Sequence, residues 1–104
     1  MDSQNPSPLA MKAVVELFNK GRYGEAEVLL RDLTQRYPQH GFGWKILGPV
    51  LNSQGRAAEA MTAMQRAVDL MPDDAEAHSN VGIVLYGQGR LAEAEASYRK
   101  AIEL

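Results

Sequence analysis

The sequence has no cysteine, which excludes disulfides and thiolate metal sites. It has no basic surplus either. Its 11 Lys and Arg against 13 Asp and Glu give a formal net charge of −2, whereas a nucleic-acid-binding domain shows a clear positive balance. No apolar run approaches the roughly 20 residues that span a bilayer. The expected partners therefore include neither nucleic acid nor membrane. The opening Met1-Asp2-Ser3-Gln4-Asn5-Pro6-Ser7-Pro8 lacks the basic and apolar regions of a secretory signal. Residues 1–6 read as a flexible lead, and the cytoplasm as the expected compartment. The two histidines, His40 and His78, lie in different elements and lack HExxH spacing. His40 is expected in a solvated turn and His78 at an aromatic packing position. Asp73-Asp74 is a helix cap before it is a metal pair, because a Ca²⁺ loop needs several more oxygen ligands in register. The expectation is no catalytic residue, no metal and no cofactor.

What the sequence does have is a period. Gly21-Arg22, Gly55-Arg56 and Gly89-Arg90 recur every 34 residues, followed at the same interval by Glu25-Ala26, Glu59-Ala60 and Glu93-Ala94. Pro38 and Pro72 keep the spacing, as do Gly48 with Gly82 and Leu51 with Leu85. Within the second copy, Trp44, Leu47, Gly48 and Leu51 fall at i, i+3, i+4 and i+7, one face of a helix. Gly55 interrupts the pattern as a helix C-cap does. Ala60, Met64, Ala67, Val68 and Met71 make a second stripe, with the methionines as core filler. Pro72 ends that stripe. Ser7-Pro8 reads as an N-cap followed by a first-turn proline, and Asp73-Asp74-Ala75-Glu76 as a capping box.

The spacing predicts six helices, over 8–20, 23–37, 42–54, 57–71, 75–88 and 91–103, and an all-α fold. Short connections force neighbours antiparallel. The units run 7–40, 41–74 and 75–104 within a single domain over 7–104. Ala26, Ala60 and Ala94 facing Gly48 and Gly82 let helix axes approach closely.

Trp44-x-x-Leu47-Gly48-x-x-Leu51, then Ala60-x-x-x-Met64, then Pro72, resembles the tetratricopeptide repeat, whose period is also 34. The third copy keeps Val81-Gly82-x-x-Leu85 and Ala94-x-x-x-Tyr98, with His78 in the tryptophan's place. The first is the most degenerate, with Ala10, Ala13, Val14, Leu17, Ala26-x-x-x-Leu30 and Pro38. The resemblance implies helix pairs stacked into a right-handed α-solenoid, with the first helix of each pair lining a concave groove where partners bind. Residues 72–82 and 89–104 are also similar to the repeats preceding bacterial glycosyltransferases related to O-linked N-acetylglucosamine transferase.

The first helices carry a second stripe opposite the buried one. It comprises Met11, Lys12, Val15, Phe18 and Asn19, then Phe42, Lys45, Ile46, Pro49, Asn52 and Ser53, then Glu76, Ser79, Asn80, Ile83 and Tyr86. Its apolar members are not needed by the helix-pair core, and the mixture suits peptide capture. The carboxylate clamp of chaperone adaptors does not fit, since only Asn80 matches and Glu76 would repel a carboxylate. The asparagine ladder of the glycosyltransferase-type superhelix is matched at Asn80 but not at Lys12 or Ile46.

Pro49 stands mid-helix, where it removes one hydrogen bond at a cost of about 3 kcal/mol. A kink is expected there, with the freed Lys45 carbonyl facing the groove. Leu104 lies in the last turn without the proline and acidic turn of earlier copies. Leu85, Leu91, Tyr98 and Ile102 are therefore expected to leave apolar area exposed. A longer protein, a homodimer through this end, or simple tolerance would each account for it.

The leading expectation is a module that binds a protein or peptide in its groove. The alternatives are a substrate-positioning arm of a glycosyltransferase-type enzyme and a self-association module. RNA reading by the related pentatricopeptide design would need a basic surface, which this acidic chain lacks.

Overall fold

The computed structural model describes residues 5–104. Part of the expected flexible lead, residues 1–4, lies outside the described residues. Of the rest of that lead, Asn5 is exposed and Pro6 is buried. Six helices follow in order: α1 (Pro8–Asn19), α2 (Tyr23–Arg36), α3 (Gly41–Ser53), α4 (Ala57–Leu70), α5 (Ala75–Gly87) and α6 (Leu91–Glu103). No strand occurs among the described residues. The fold is an all-α array of helix pairs, α1/α2, α3/α4 and α5/α6, with overall dimensions of 43 × 26 × 19 Å.

The helix ends follow from local chemistry. The Ser7 hydroxyl accepts from Ala10 N–H at 3.1 Å, and Pro8 occupies the first turn, where its missing N–H is no loss. Each first helix ends in the same Schellman turn. Gly21, Gly55 and Gly89 have φ of 73°, 78° and 76°, a conformation that glycine adopts without a Cβ penalty. The arginine after each glycine donates its N–H to a carbonyl five residues back: Arg22 to Leu17 at 2.9 Å, Arg56 to Leu51 at 3.0 Å, Arg90 to Leu85 at 2.9 Å. Each second helix starts without a side-chain cap. In its place the arginine pairs with a glutamate three residues on, Arg22–Glu25, Arg56–Glu59 and Arg90–Glu93, each at 2.6 Å. Those glutamates also sit where the helix dipole favours negative charge.

The expected capping box at Asp73–Glu76 is shifted by one residue. Asp74 is the cap, accepting from Ala77 N–H at 2.9 Å. The residue three beyond the cap is then Ala77, so no reciprocal glutamate bond forms, and Glu76 turns to Lys45 instead.

The core lies between the helices of each pair and between successive pairs. Leu30, Leu47, Leu51, Val14, Val50 and Val84 are its largest fully buried side chains, each worth about 1.5–3 kcal/mol of burial. Gly48 meets Met64 and the Ala60 carbonyl. A Cβ at Gly82 would stand 2.8 Å from the Tyr98 ring. The glycines thus let a large residue of the second helix lie flat on the first. Trp44 and His78 play one role in two copies. The Trp44 indole donates to Pro38 O at 3.0 Å, and His78 Nε2 bonds Pro72 O at 2.7 Å. A carbonyl can only accept, so the His78 proton sits on Nε2.

Candidate functional site

Successive first helices, α1 with α3 and α3 with α5, lie against each other, whereas the backbones of α2, α4 and α6 stay apart. The array therefore curves with the first helices on its inner side. Along that side Val15, Pro49 and Ile83 recur at one-repeat intervals as a row of apolar groups. Ile83 is 49 % exposed, Val15 is exposed, and Pro49 is half-buried. Lys12, Asn19, Ser53 and Glu76 are exposed beside the row, while Met11, Phe42, Asn52 and Ser79 are half-buried.

Two members of the stripe do not stand apart from the core as expected. Phe18 leans on Tyr23, with ring centroids 5.7 Å apart, and both Phe18 and Ile46 pack against core residues. Packing of one helix on its neighbours also buries the flank of the stripe, which a single-helix wheel does not show. Tyr86 leaves the row as well. With Leu91, Ala94, Glu95 and Tyr98 it borders a hollow of about 300 Å³ on the outer side of the last pair.

The centre of the groove is polar and self-satisfied. Helix α3 runs from Gly41 to Ser53 with Pro49 inside it, so the Lys45 carbonyl has lost its helical donor. The Asn80 amide donates to that carbonyl across the joint, at 3.5 Å. Lys45 Nζ lies 3.1 Å from Asp74 and 3.0 Å from Glu76, with its side chain only 17 % exposed. Burial pulls the Lys45 ammonium down, but its bonds to Glu76 and Asp74 outweigh this and hold it above the usual lysine value. Burial likewise pushes Asp74 up. The Ala77 N–H and the Lys45 ammonium outweigh it, and the carboxyl titrates below its usual value.

A different cluster ties the first pair to the second on the opposite side. Arg56 reaches Glu27 at 2.8 Å and Glu59 at 2.6 Å, while Arg31 reaches Glu27 at 3.3 Å and Glu59 at 3.6 Å. The Arg56 bond is the main reason that Glu27 titrates below its usual value. Neither joint was evident from helical periodicity. The signal lay in comparing copies: Glu27 and Arg31 give way to Met61 and Gln65, while Lys45 and Asp74 replace Met11 and His40.

His40 is not a solvated turn residue. It is the N-cap of α3, half-buried, and its Nδ1 is buried without a hydrogen-bond partner. A second hollow, of about 430 Å³, lies along α4 beside Trp44 and is lined also by Ala58, Met61, Thr62 and Gln65. The Arg66 guanidinium stands 5.9 Å from the Trp44 ring centre and donates to Pro38 O at 3.3 Å. Among the described residues no group of three or more His, Asp or Glu is placed to hold a metal ion. No helix among them is long and apolar enough to cross a membrane.

A family model described as TPR repeat matches residues 48–89, and one described as tetratricopeptide repeat matches residues 75–104. The chain belongs to the tetratricopeptide repeat family. Solved structures of the same fold include MamA AMB-1, at 26% identity and a TM-score of 0.81 over 91% of this chain and 56% of that one. MamA MSR-1 is similar at 24% identity and a TM-score of 0.80, over 90% and 54%. The type III secretion translocator chaperone SycD of Yersinia enterocolitica is 18% identical, with a TM-score of 0.86 over 91% and 66%. SycD has also been solved in complex with a peptide of the translocator YopD; that structure is 18% identical, with a TM-score of 0.84 over 91% and 72%. The chain spans about half the length of the MamA structures. No curated protein matches it in sequence. The structure and the family make it a protein-interaction module.

Proposed function

We propose that the inner face of the first helices binds a peptide or a helix of a partner protein by its apolar side chains. The observation that carries this reading is the row Val15, Pro49, Ile83. It is apolar in every copy, and it stays accessible at Val15 and Ile83, which the core does not use. The cluster of Lys45, Asp74, Glu76 and Asn80 bounds the row. Because Lys45 is already matched by two carboxylates, this part of the groove offers no free cation to a peptide carboxylate. The Asn80 amide nitrogen is engaged with Lys45 O, which argues for side-chain anchoring in preference to a backbone ladder. The peptide complex of SycD supports the reading by analogy of fold.

The test is selection from a displayed random-peptide library on the full chain, followed by titration of the selected peptides. Ile83→Glu should weaken them at least tenfold without altering the melting temperature. Selected peptides that bind Ile83→Glu and Val15→Glu as well as the parent would exclude the groove.

A further inference from the structure

We infer that the hollow along α4 beside Trp44 is a second docking site, separate from the groove, for a segment of another protein that carries a bulky apolar side chain next to an acidic one. None of the groove residues lines it. Its apolar lining is Trp44, Ala58 and Met61, and its volume is about 430 Å³. A smaller hollow of about 190 Å³ shares Trp44 and Thr62 with it and extends the trough toward Arg31 and Glu59. The second pair has a neighbour on either side, α2 against α3 and α5 against α4. Both neighbours are in place, and the trough is open all the same. Further pairs would add to the ends of such an array and leave this flank as it is.

This face is peculiar to the second copy. Glu27–Arg31 in α2 and Glu95–Arg99 in α6 are ion pairs at equivalent positions. In α4 those positions hold Met61 and Gln65, and beside them stands Trp44, where the first copy has Ala10 and the third His78. A charged face has become an apolar one. Helix pairing does not require the exchange, since the other two copies do without it. Tryptophan, methionine and arginine are the residue types that protein interfaces favour.

Charge says what the occupant carries. Arg22, Arg31, Arg36, Arg56, Arg90 and Arg99 are each ion-paired. Arg66 alone among the arginines has no carboxylate partner among the described residues. It lies half-buried, 5.9 Å from the Trp44 ring centre, and spends one N–H on Pro38 O. The stacked guanidinium keeps further donors in its plane, and a carboxylate can take two of them at once. Asp69, in the next turn of α4, is exposed on the same hollow and has no ion pair either. It sets the direction of the segment: a basic residue meets Asp69 when the acidic one meets Arg66. A small free acid would be enclosed on one side only, which is too little for a ligand pocket. A protein segment is held along the whole trough.

The test is selection from a displayed random-peptide library on the full chain carrying Val15→Glu and Ile83→Glu, so that groove ligands drop out and the two sites answer separately. The selected peptides should set Asp or Glu beside a bulky apolar residue. Their titration should shift the fluorescence of Trp44, the sole tryptophan. Arg66→Glu should weaken them tenfold or more. Met61→Glu with Gln65→Arg gives α4 the ion pair that α2 and α6 already carry, and should weaken them as much with the helical circular dichroism unchanged. Absence of saturable binding, binding indifferent to both changes, or binding without a change in Trp44 emission would overturn the inference. So would a concentration-dependent dimer of the parent chain that Arg66→Glu dissolves, because the hollow would then belong to a second copy.

Discussion

The two internal joints of this array pair equivalent helices and carry opposite chemistry. Between the first and second pairs the charges lie on the second helices, where Glu27 and Arg31 meet Arg56 and Glu59. Between the second and third pairs they lie on the first helices, where Lys45 meets Asp74 and Glu76 and Asn80 covers the Lys45 carbonyl. One joint sets its ion pairs away from the groove, and the other fills the groove with a matched set. A repeat period therefore specifies where helices pack, but not which edge of the interface carries its electrostatics. That choice gives the groove an apolar half near Val15 and a polar half near Lys45.

The comparison breaks most readily at what both joints share. Ala60 is fully buried against the Gly48 side of α3. Ala60→Leu should cost about 1–3 kcal/mol by overpacking, and loosen both joints together. Chemical denaturation checks this; a midpoint equal to the parent's would show that the close approach is not needed.

Pro49 separates the joints next. Pro49→Ala returns an N–H to Lys45 O and should stabilise by about 1–2 kcal/mol, part of the proline cost. In that background Asn80→Ala should cost less than it does in the parent. A double-mutant cycle with no coupling would mean that the Asn80 bond contributes nothing.

Asp74→Ala removes a helix cap and one partner of Lys45, and should cost about 1–2 kcal/mol. Its counterpart His40 caps nothing with its side chain. His40→Asp should give α3 the bond to the Gly43 N–H that Asp74 makes to Ala77, gaining about 0.5–1 kcal/mol. An unchanged or lower melting temperature would show that the His40 ring packs too well to be replaced.

The smallest effect is the most discriminating. Glu27 and Asp74 are both held below their usual values, so both joints contribute at neutral pH and lose their ionic part as pH falls through those depressed values. In alkali they part company. Lys45 is held above its usual value, so its contribution is complete below the ordinary lysine value and is lost as pH rises through the raised one. Arg56 does not titrate in that range. The stability difference between the parent and Lys45→Met, of about 0.5–1 kcal/mol, should shrink below about pH 4 and again above about pH 11. The difference between the parent and Arg56→Met should shrink only in acid. Identical profiles for the two variants would erase the distinction between the joints.

Much of this was legible in the residues. The 34-residue period, the three Gly-Arg turns, the prolines and the alternation of stripes determined six helices, their order and their antiparallel pairing, because helix formation and capping are local. The His78 position was legible too, since it falls in register with Trp44. The residues of the candidate groove could be set on one helix face but not sorted. Only the packing of the helices sank Phe18 and Ile46 against the core, set Tyr86 beside the last pair's hollow, and made His40 a half-buried cap. Stacking also brought Lys45 to Asp74 across 29 residues and Arg56 to Glu27 across the same distance in the chain. Periodicity along one helix says which face a side chain occupies. Which charges meet, and which apolar groups stay free for a partner, depends on residues a whole repeat away, and tertiary packing alone brings those together.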